Sequence, residues 1–154
     1  MKDKTRKELI VSAIENGTVI DHIPSESVFQ VIKILNLKDF QNQVLFGTNL
    51  DSKKFGKKGI IKVRDKFFAK DELNKIALVA PTATIIIIKD FDVVEKKKVS
   101  IPNTVIKLVK CINPNCITNH EQVITKFTVI DKKELKLQCH YCEKITLKQN
   151  IFFI

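Results

Sequence analysis

The stretch GTVIDHIP, residues 17–24, decides how the front half of the chain folds. Thr18 to Ile23 is mostly β-branched and apolar, which predicts a strand whose side chains alternate between two faces. The even-numbered residues, ending in His22, are expected on one face and the odd-numbered residues, ending in Ile23, on the other. The proline ends this strand, and Ser25 or Ser27 is a candidate N-cap for a helix that follows.

Further strand and helix patterns extend downstream of this stretch. A helix is expected first, because Val28, Val31, Ile32 and Leu35 fall at helical spacing. Strands at 43–50 and 59–64 follow, and then a helix at 70–80 and a strand at 84–89. Residues 51–58 carry four lysines and are expected to form an exposed loop, while 92–98 extend or follow the last strand. The order over about residues 17–90 is β-α-β-β-α-β, which is the ferredoxin-like pattern of two helices on one face of an antiparallel sheet.

A second unit follows a linker at Ser100–Asn103. Its strand candidates lie at 122–130, 134–139 and 143–147. A piece of about fifty residues rarely buries enough apolar surface to fold alone, and a bound metal would supply the missing stabilisation. The sequence therefore predicts an α+β chain. A ferredoxin-like βαββαβ domain at 1–100 precedes a small β-rich zinc-binding domain at 101–154.

All four cysteines lie in this second unit, as Cys111-x4-Cys116 and, after twenty-two residues, Cys139-x2-Cys142. A structural Zn²⁺ takes four such ligands in a tetrahedron, and a hairpin in the separating segment can bring the two pairs together. Two disulfides or free buried thiols are the alternatives. A redox pair at Cys139 and Cys142 would leave the other two cysteines idle, and a catalytic zinc needs an open position that four thiolates close.

The composition limits the classes of function. Hydrophobic residues make up 44% of the 154 residues, which predicts a folded protein, and no apolar run is long enough to span a bilayer. Met1 to Glu8 is charged, with no signal-peptide pattern after it, so a cytoplasmic protein is expected. The net charge of +10 predicts an anionic partner: nucleic acid, anionic lipid, a nucleotide or an acidic protein face.

Asp21 and His22 are adjacent polar residues on an otherwise apolar strand. One interpretation is the rim of a ligand site, with a carboxylate for a ribose hydroxyl or base amino group, an imidazole near phosphate, and Lys62 adding charge. The other is structural, with Asp21 in solvent and His22 hydrogen-bonded at the strand end. The chain has no Walker A or GxGxxG motif, so lysine side chains would have to hold an anion. It also shows no nucleophile and base pair typical of an enzyme.

Several landmarks in this order resemble the regulatory chain of aspartate carbamoyltransferase, over about residues 8–148. They are GTVIDHIP at 17–24, Gly47-Thr-Asn-Leu50, Lys62 after paired isoleucines, Ala80-Pro81-Thr-Ala-Thr84, Cys111-x4-Cys116 and Cys139-His-Tyr-Cys-Glu-Lys144. The resemblance implies a non-catalytic subunit in pyrimidine biosynthesis. Its N-terminal domain would bind CTP as inhibitor and ATP as activator, with UTP acting alongside CTP in some members. Its zinc domain would pack on the catalytic chain, and regulatory-chain dimers would bridge two catalytic trimers.

Carried over by position, the resemblance also implies which residues bind. One structural zinc per chain would be held by Cys111, Cys116, Cys139 and Cys142. The nucleotide site would consist of Val11, Ala13, Ile14, Val19, Asp21, His22, Lys62, Ile88, Phe91, Val93 and Lys96. The chain departs from the family pattern at Glu8, Ser12, Ile86 and Phe91, and the loss of polar contacts there is expected to weaken effector binding or change which nucleotide acts.

A nucleic-acid-binding zinc ribbon is the alternative function, motivated by the +10 charge and the cysteine cluster. That class usually shows arginine-rich strands with interleaved aromatic residues. Here the only arginines are Arg6 and Arg64, and Tyr141 is the only tyrosine. A thiol oxidoreductase is a third, weaker alternative.

Overall fold

The computed structural model of the chain describes residues 13–154. Of these, residues 13–100 belong to one compact unit and residues 101–154 form a second. Val11, together with Glu8 and Ser12, lies outside the described residues. No helix within residues 13–154 combines the length and the apolar character needed to cross a membrane.

Within residues 13–100, the first unit consists of one antiparallel sheet and two helices. Its elements are β1 (Gly17–Ile23), α1 (Val28–Ile34), β2 (Val44–Ser52), β3 (Gly56–Arg64), α2 (Lys70–Val79), β4 (Thr84–Lys89) and β5 (Asp92–Lys98), with 3-10 turns at Ser25–Ser27 and Leu37–Asp39. The strand order is β2-β3-β1-β4-β5. The first four strands have the predicted ferredoxin-like order, and β5 is added at the edge as a hairpin with β4.

The helices cover the face of the sheet that carries Ile61. Ile61 and Val63 are fully buried, as are Val28 of α1 and Ile76 of α2. Gly59 lies on the same face because it alternates with Ile61, and a Cβ there would clash with the side chain of Val28. Helix α1 therefore packs directly on β3. Its N-cap residue is Ser27, but the serine side chain makes no capping hydrogen bond.

Glycine is required at the start of β1 because the backbone approaches β3 closely. Gly17 has φ +140°, and a Cβ at this position would clash with the carbonyl oxygen of Val63. Since residues with a side chain rarely adopt such a φ, Gly17 sets where β1 begins.

A bulge at the end of β1 breaks the predicted alternation. The register with β3 shifts between Ile20 and Ile23, and both residues are fully buried although strict alternation places them on opposite faces. His22 has φ +57° and contacts Thr84, the residue paired with Asp21. The predicted faces of His22 and Ile23 were therefore wrong, because a bulge adds one residue and reverses the alternation after it.

The predicted loop at 51–58 is shorter than expected. Asp51 pairs with Lys57 and Ser52 with Gly56, so β2 and β3 continue into a hairpin whose turn is only residues 53–55. Gly56 has φ +75°, a conformation that glycine adopts without strain, and this lets the strand start immediately after the turn.

The second unit is built from short strands. They are β6 (Thr104–Ile106), β7 (Val109–Lys110), β8 (Lys126–Asp131), β9 (Lys136–Cys139), β10 (Ile145–Leu147) and β11 (Phe152–Phe153), with 3-10 turns at Ile117–Asn119 and Lys148–Asn150. One sheet has the order β10-β9-β8-β6, and β11 pairs with β7. Phe127 and Leu137 are fully buried at its centre. The predicted α+β class, with a β-rich second unit, is confirmed.

Candidate functional site

A row of directly paired residues crosses the face of the first sheet opposite α1 and α2, which is called the open face here for the described residues. Lys62 pairs with Val19, Val19 with Ile86, and Ile86 with Lys96. Paired residues in adjacent strands point to the same face, so the two lysines share that face. Strands lie about 4.8 Å apart, so the two lysine Cα atoms are about 14 Å apart across the sheet.

Apolar side chains form the floor next to this row. Ile14, Val19 and Ile88 are buried there, and Leu45, Ile60 and Ile86 pack against them. Ile14 comes from the segment before β1, which is fixed to the β4–β5 turn by two hydrogen bonds. The backbone N–H of Phe91 donates to the carbonyl oxygen of Glu15 at 2.9 Å, and that of Asp90 donates to Oδ1 of Asn16 at 3.1 Å.

An ion pair lies at the bulged end of β1. The ammonium group of Lys58 donates to Oδ1 of Asp21 at 2.8 Å, and these side chains are only 21% and 15% exposed. The same carboxylate oxygen accepts the backbone N–H of His22 at 2.6 Å. Asp21 therefore joins β1 to β3 and holds the bulge, so the structural expectation that it faces solvent was wrong.

The side chain of His22 lies between polar and aromatic neighbours. Its Nδ1 is 3.2 Å from Oγ1 of Thr84, and its ring meets the ring of Phe55 edge-on with centroids 5.8 Å apart. Burial lowers the pKa of His22; Asp21 opposes this, and the charges of Lys58, Lys96 and Lys54 lower it further. His22 is thus predominantly neutral at pH 7 and surrounded by ammonium groups.

Burial also lowers the pKa of Lys62, and the nearby Asp21 carboxylate opposes that effect. A half-buried ammonium group gains from an anionic ligand, because the ligand replaces lost hydration with a charge-assisted hydrogen bond. The row therefore combines an apolar floor with cations at its two sides.

The remaining residues of the predicted site lie nearer the surface. Ala13 is exposed before Ile14. Phe91 and Val93 are largely exposed at and just after the β4–β5 turn, where Val93 pairs with Ile88. Lys96 is exposed on β5.

Sequence reasoning missed Lys58, Phe55 and Thr84 as neighbours of the Asp21–His22 pair. Lys58 and Phe55 fell in the segment predicted to be a loop. The available signal was the alternation along β3, since Lys58, Ile60 and Lys62 are two residues apart and share a face.

The four cysteines converge in the second unit. The Sγ atoms of Cys111 and Cys142 are 3.6 Å apart, those of Cys116 and Cys139 are 3.7 Å apart, and all four lie within 4.8 Å of one another. A disulfide would need about 2.05 Å. A tetrahedron with metal–sulfur bonds of about 2.3 Å has edges of about 3.8 Å, so the sulfur positions fit one tetrahedral ion.

Two turns present the thiols, as the spacing predicts. In the first, Asn119 Nδ2 donates to the carbonyl oxygens of Cys111 at 3.0 Å and Asn113 at 2.7 Å, which closes the loop between the first two cysteines. The hydroxyl of Thr118 donates to Sγ of Cys116 at 3.2 Å. In the second, the backbone N–H of Cys139 donates to the carbonyl oxygen of Lys144 at 3.0 Å.

The thiols have different proton affinities. Burial raises the pKa of Cys111 to about 12 and raises that of Cys139. Burial acts in the same direction on Cys142, but hydrogen bonds from the Lys144 backbone, the Asn113 side chain and the neighbouring thiols outweigh it and lower the pKa to about 7. A cation among the four sulfurs would favour the thiolates and displace the protons.

The two histidines near the cysteines in sequence are exposed. His120 is exposed, with Nε2 2.7 Å from the carbonyl oxygen of Pro114. His140 is exposed and meets Tyr141 edge-on. Among residues 13–154, the group suited to hold a metal consists of the four cysteines alone.

The chain matches known proteins along nearly its full length. A family model described as aspartate carbamoyltransferase regulatory chain, allosteric domain, matches residues 9–100, and one described as the metal binding domain of that chain matches residues 103–152. A protein named aspartate carbamoyltransferase regulatory chain from Thermococcus sibiricus is 55% identical over 145 residues, covering 94% of this chain and 95% of its own. Proteins of the same name from Pyrococcus horikoshii and Bacteroides fragilis are 54% and 50% identical, covering 94% and 98% of this chain and 96% and 99% of their own.

The first family model covers the unit with the five-stranded sheet, and the second covers the unit with the four cysteines. The chain therefore belongs to the aspartate carbamoyltransferase regulatory chains, which are non-catalytic subunits with an allosteric domain followed by a metal-binding domain.

Proposed function

We propose that the chain binds nucleotide effectors on the open face of its first sheet and transmits their effect to catalytic chains held by its second unit. The observation that carries the proposal is the row from Lys62 through Val19 and Ile86 to Lys96 beside the Asp21–Lys58 pair. An apolar floor with cations around it suits a base and sugar attached to phosphates. Residues 1–100 would be the allosteric domain and residues 101–154 the zinc domain.

The parts of a nucleotide can be assigned by chemistry. Ile88, Phe91 and Val93 would line the base and sugar, and backbone groups near Ile14 and Phe91 would recognise a base amino group. Asp21 and Lys62 would contact the ribose, and His22, Lys62 and Lys96 the phosphates. Val19 is part of the floor, and Val11 and Ala13 would complete the site from the preceding segment. CTP would inhibit and ATP would activate.

One structural Zn²⁺ per chain would be held by Cys111, Cys116, Cys139 and Cys142. Four thiolates complete a tetrahedral shell and leave no position for a substrate, so the ion would stabilise the fold rather than take part in a reaction. Reduced thiols suit a cytoplasmic location. Lys110 and Lys144, next to the cysteines in sequence, would partly offset the charge of −2 on such a centre.

Exposed apolar side chains in each unit support the proposal that the chain forms interfaces with two kinds of protein partner. In the second unit, Ile117, Ile124 and Tyr141 are exposed close in sequence to the cysteines, and they suit a catalytic chain. In the first unit, Phe29 and Phe46 stack edge-on with centroids 5.7 Å apart and are largely exposed on α1 and the edge strand β2. That patch suits a second regulatory chain, and such dimers would bridge two catalytic trimers.

No nucleic acid or membrane is part of the proposal. The test is aspartate carbamoyltransferase activity of catalytic trimers with and without this chain, measured at increasing CTP and ATP. We expect CTP to lower and ATP to raise activity only when the chain is present. Activity that is indifferent to both nucleotides, with no binding by calorimetry, would contradict the proposal.

A further inference from the structure

The turn of the β2–β3 hairpin, residues 53–55, is exposed at one end of the first sheet. In the strand order, β1 and β4 lie between β3 and β5. Nevertheless, Lys98 at the end of β5 is close enough to Lys54 in the turn to lower the pKa of Lys54. The ring of Phe55 lies against His22 of β1, which places the turn at the same end of the sheet as Lys98.

An aromatic contact holds the turn in this position. Nζ of Lys54 lies 5.4 Å from the centroid of the Phe55 ring, and that ring meets His22 of β1 edge-on. Lys98 pairs with Thr84, whose hydroxyl is within hydrogen-bonding distance of His22. Both lysines thus lie near the His22 end of the proposed nucleotide site.

Lys54 and Lys98 place two like charges at this end of the sheet. Neither residue forms an ion pair with a carboxylate within residues 13–154. The side chain and the charge of Lys98 lower the pKa of Lys54. Such a pair is unfavourable by itself and becomes favourable when an anion lies between the two ammonium groups.

We propose that Lys54 and Lys98 clamp the terminal phosphate of a nucleoside polyphosphate and so select the effector by its number of phosphates. Lys96 is two residues before Lys98 on the same face of β5, so the polyphosphate would extend from Lys96 toward the turn. The inner phosphate would remain with Lys62 and Lys96. This inference rests on the proposed nucleotide site and adds a specificity-determining pair to it.

The clamp predicts an effect that depends on phosphate number. Binding of CMP, CDP and CTP to the full chain is measured by isothermal titration calorimetry, for the wild type and for Lys54→Met, Lys98→Met and Lys53→Met. Lys54→Met and Lys98→Met are each expected to weaken CTP binding about tenfold and to leave CMP binding unchanged, because a charge-assisted contact to the terminal phosphate is lost. Lys53→Met removes the same charge from an exposed neighbour in the turn and should change neither affinity by more than about twofold.

Lys54→Arg keeps the charge and should retain most of the affinity for CTP, which separates the clamp from a change in the turn. The clamp is overturned if Lys54→Met weakens CMP and CTP equally, or if its CTP affinity equals that of Lys53→Met. A wild-type chain that binds none of the three nucleotides would instead overturn the nucleotide site itself.

Discussion

Asp21 and Lys58 form an ion pair of 2.8 Å between adjacent strands, and both side chains are shielded from solvent. The Asp21 carboxylate also accepts the backbone N–H of His22, so one oxygen fixes both the bulge and the lysine. Removing the Asp21 carboxylate would leave the shielded ammonium group of Lys58 and the backbone N–H of His22 without this acceptor. The pair is therefore expected to contribute to stability, unlike most ion pairs on protein surfaces.

Asp21→Ala is expected to lower the free energy of unfolding by about 1–3 kcal/mol, measured by urea denaturation of the full chain. The matched control is Glu95→Ala, which removes a carboxylate 3.6 Å from Lys97 in a pair that is half exposed on both sides. The control should change the free energy by less than about 0.5 kcal/mol. Equal losses in the two variants would show that Asp21 has no special structural role.

The lowered pKa of His22 predicts how effector binding depends on pH. In the free chain His22 is mostly neutral near pH 7, whereas bound phosphates favour the charged imidazolium and raise its pKa. Binding then takes up a proton, so affinity should increase as the pH falls from about 8 toward the free pKa and level off below it. The measurement is calorimetric titration with CTP at several pH values.

His22→Gln should remove this component of the pH dependence. Protonation of the CTP phosphates, which acts in the opposite direction, remains in the variant and serves as the baseline. His120→Gln is the matched control, because His120 is exposed in the other unit. A wild type whose pH profile coincides with that of His22→Gln would rule out His22 as a phosphate contact.

The strand order of the first unit could be predicted because its elements are long and strongly patterned. The register between paired strands could not be predicted. Val19 faces Lys62 only because β1 pairs with β3 as it does, and the bulge at His22 depends on the same pairing. Alternation within one strand contains no information about its neighbours. The contact of Phe55 with His22 could not be predicted either, since it joins the β2–β3 turn to the bulge at the end of β1.

The cysteine cluster was predictable because its spacing is local. Each pair of cysteines lies on one tight turn, and the β8–β9 hairpin between them returns the second turn to the first, with Phe127 paired with Cys139. The strands β6, β7 and β11 were missed because two or three residues are too few for a periodic pattern. Such strands are specified by their pairing partners.

Loss of one thiol should unfold the second unit selectively. Cys116→Ser is expected to abolish stoichiometric zinc binding, about one ion per chain in the wild type, and to eliminate the unfolding transition of residues 101–154. Structural zinc contributes about 10 kcal/mol or more of binding free energy, which exceeds the stability that so small a core provides. The first unit has its own buried core and should keep its transition in calorimetry.

Asn115→Ser is the matched control for Cys116→Ser, since it places serine one residue earlier in the same turn at an exposed side chain. It should bind zinc and unfold like the wild type. A Cys116→Ser chain that keeps a metal-free, cooperatively folded second unit would contradict a structural role for the cluster.

The Thr118 hydroxyl offers a finer test, because it donates to Sγ of Cys116 without being a ligand itself. Thr118→Val has nearly the same shape but lacks this donor, and we expect zinc affinity to fall about tenfold in a chelator competition. The thiolate-to-metal absorption of the Co²⁺-substituted chain should also shift, because a hydrogen bond to sulfur lowers its electron donation. Thr128→Val, an exposed change on β8, should alter neither property. If affinity falls in Thr118→Val while the Co²⁺ spectrum stays unchanged, the hydroxyl supports the turn rather than the sulfur.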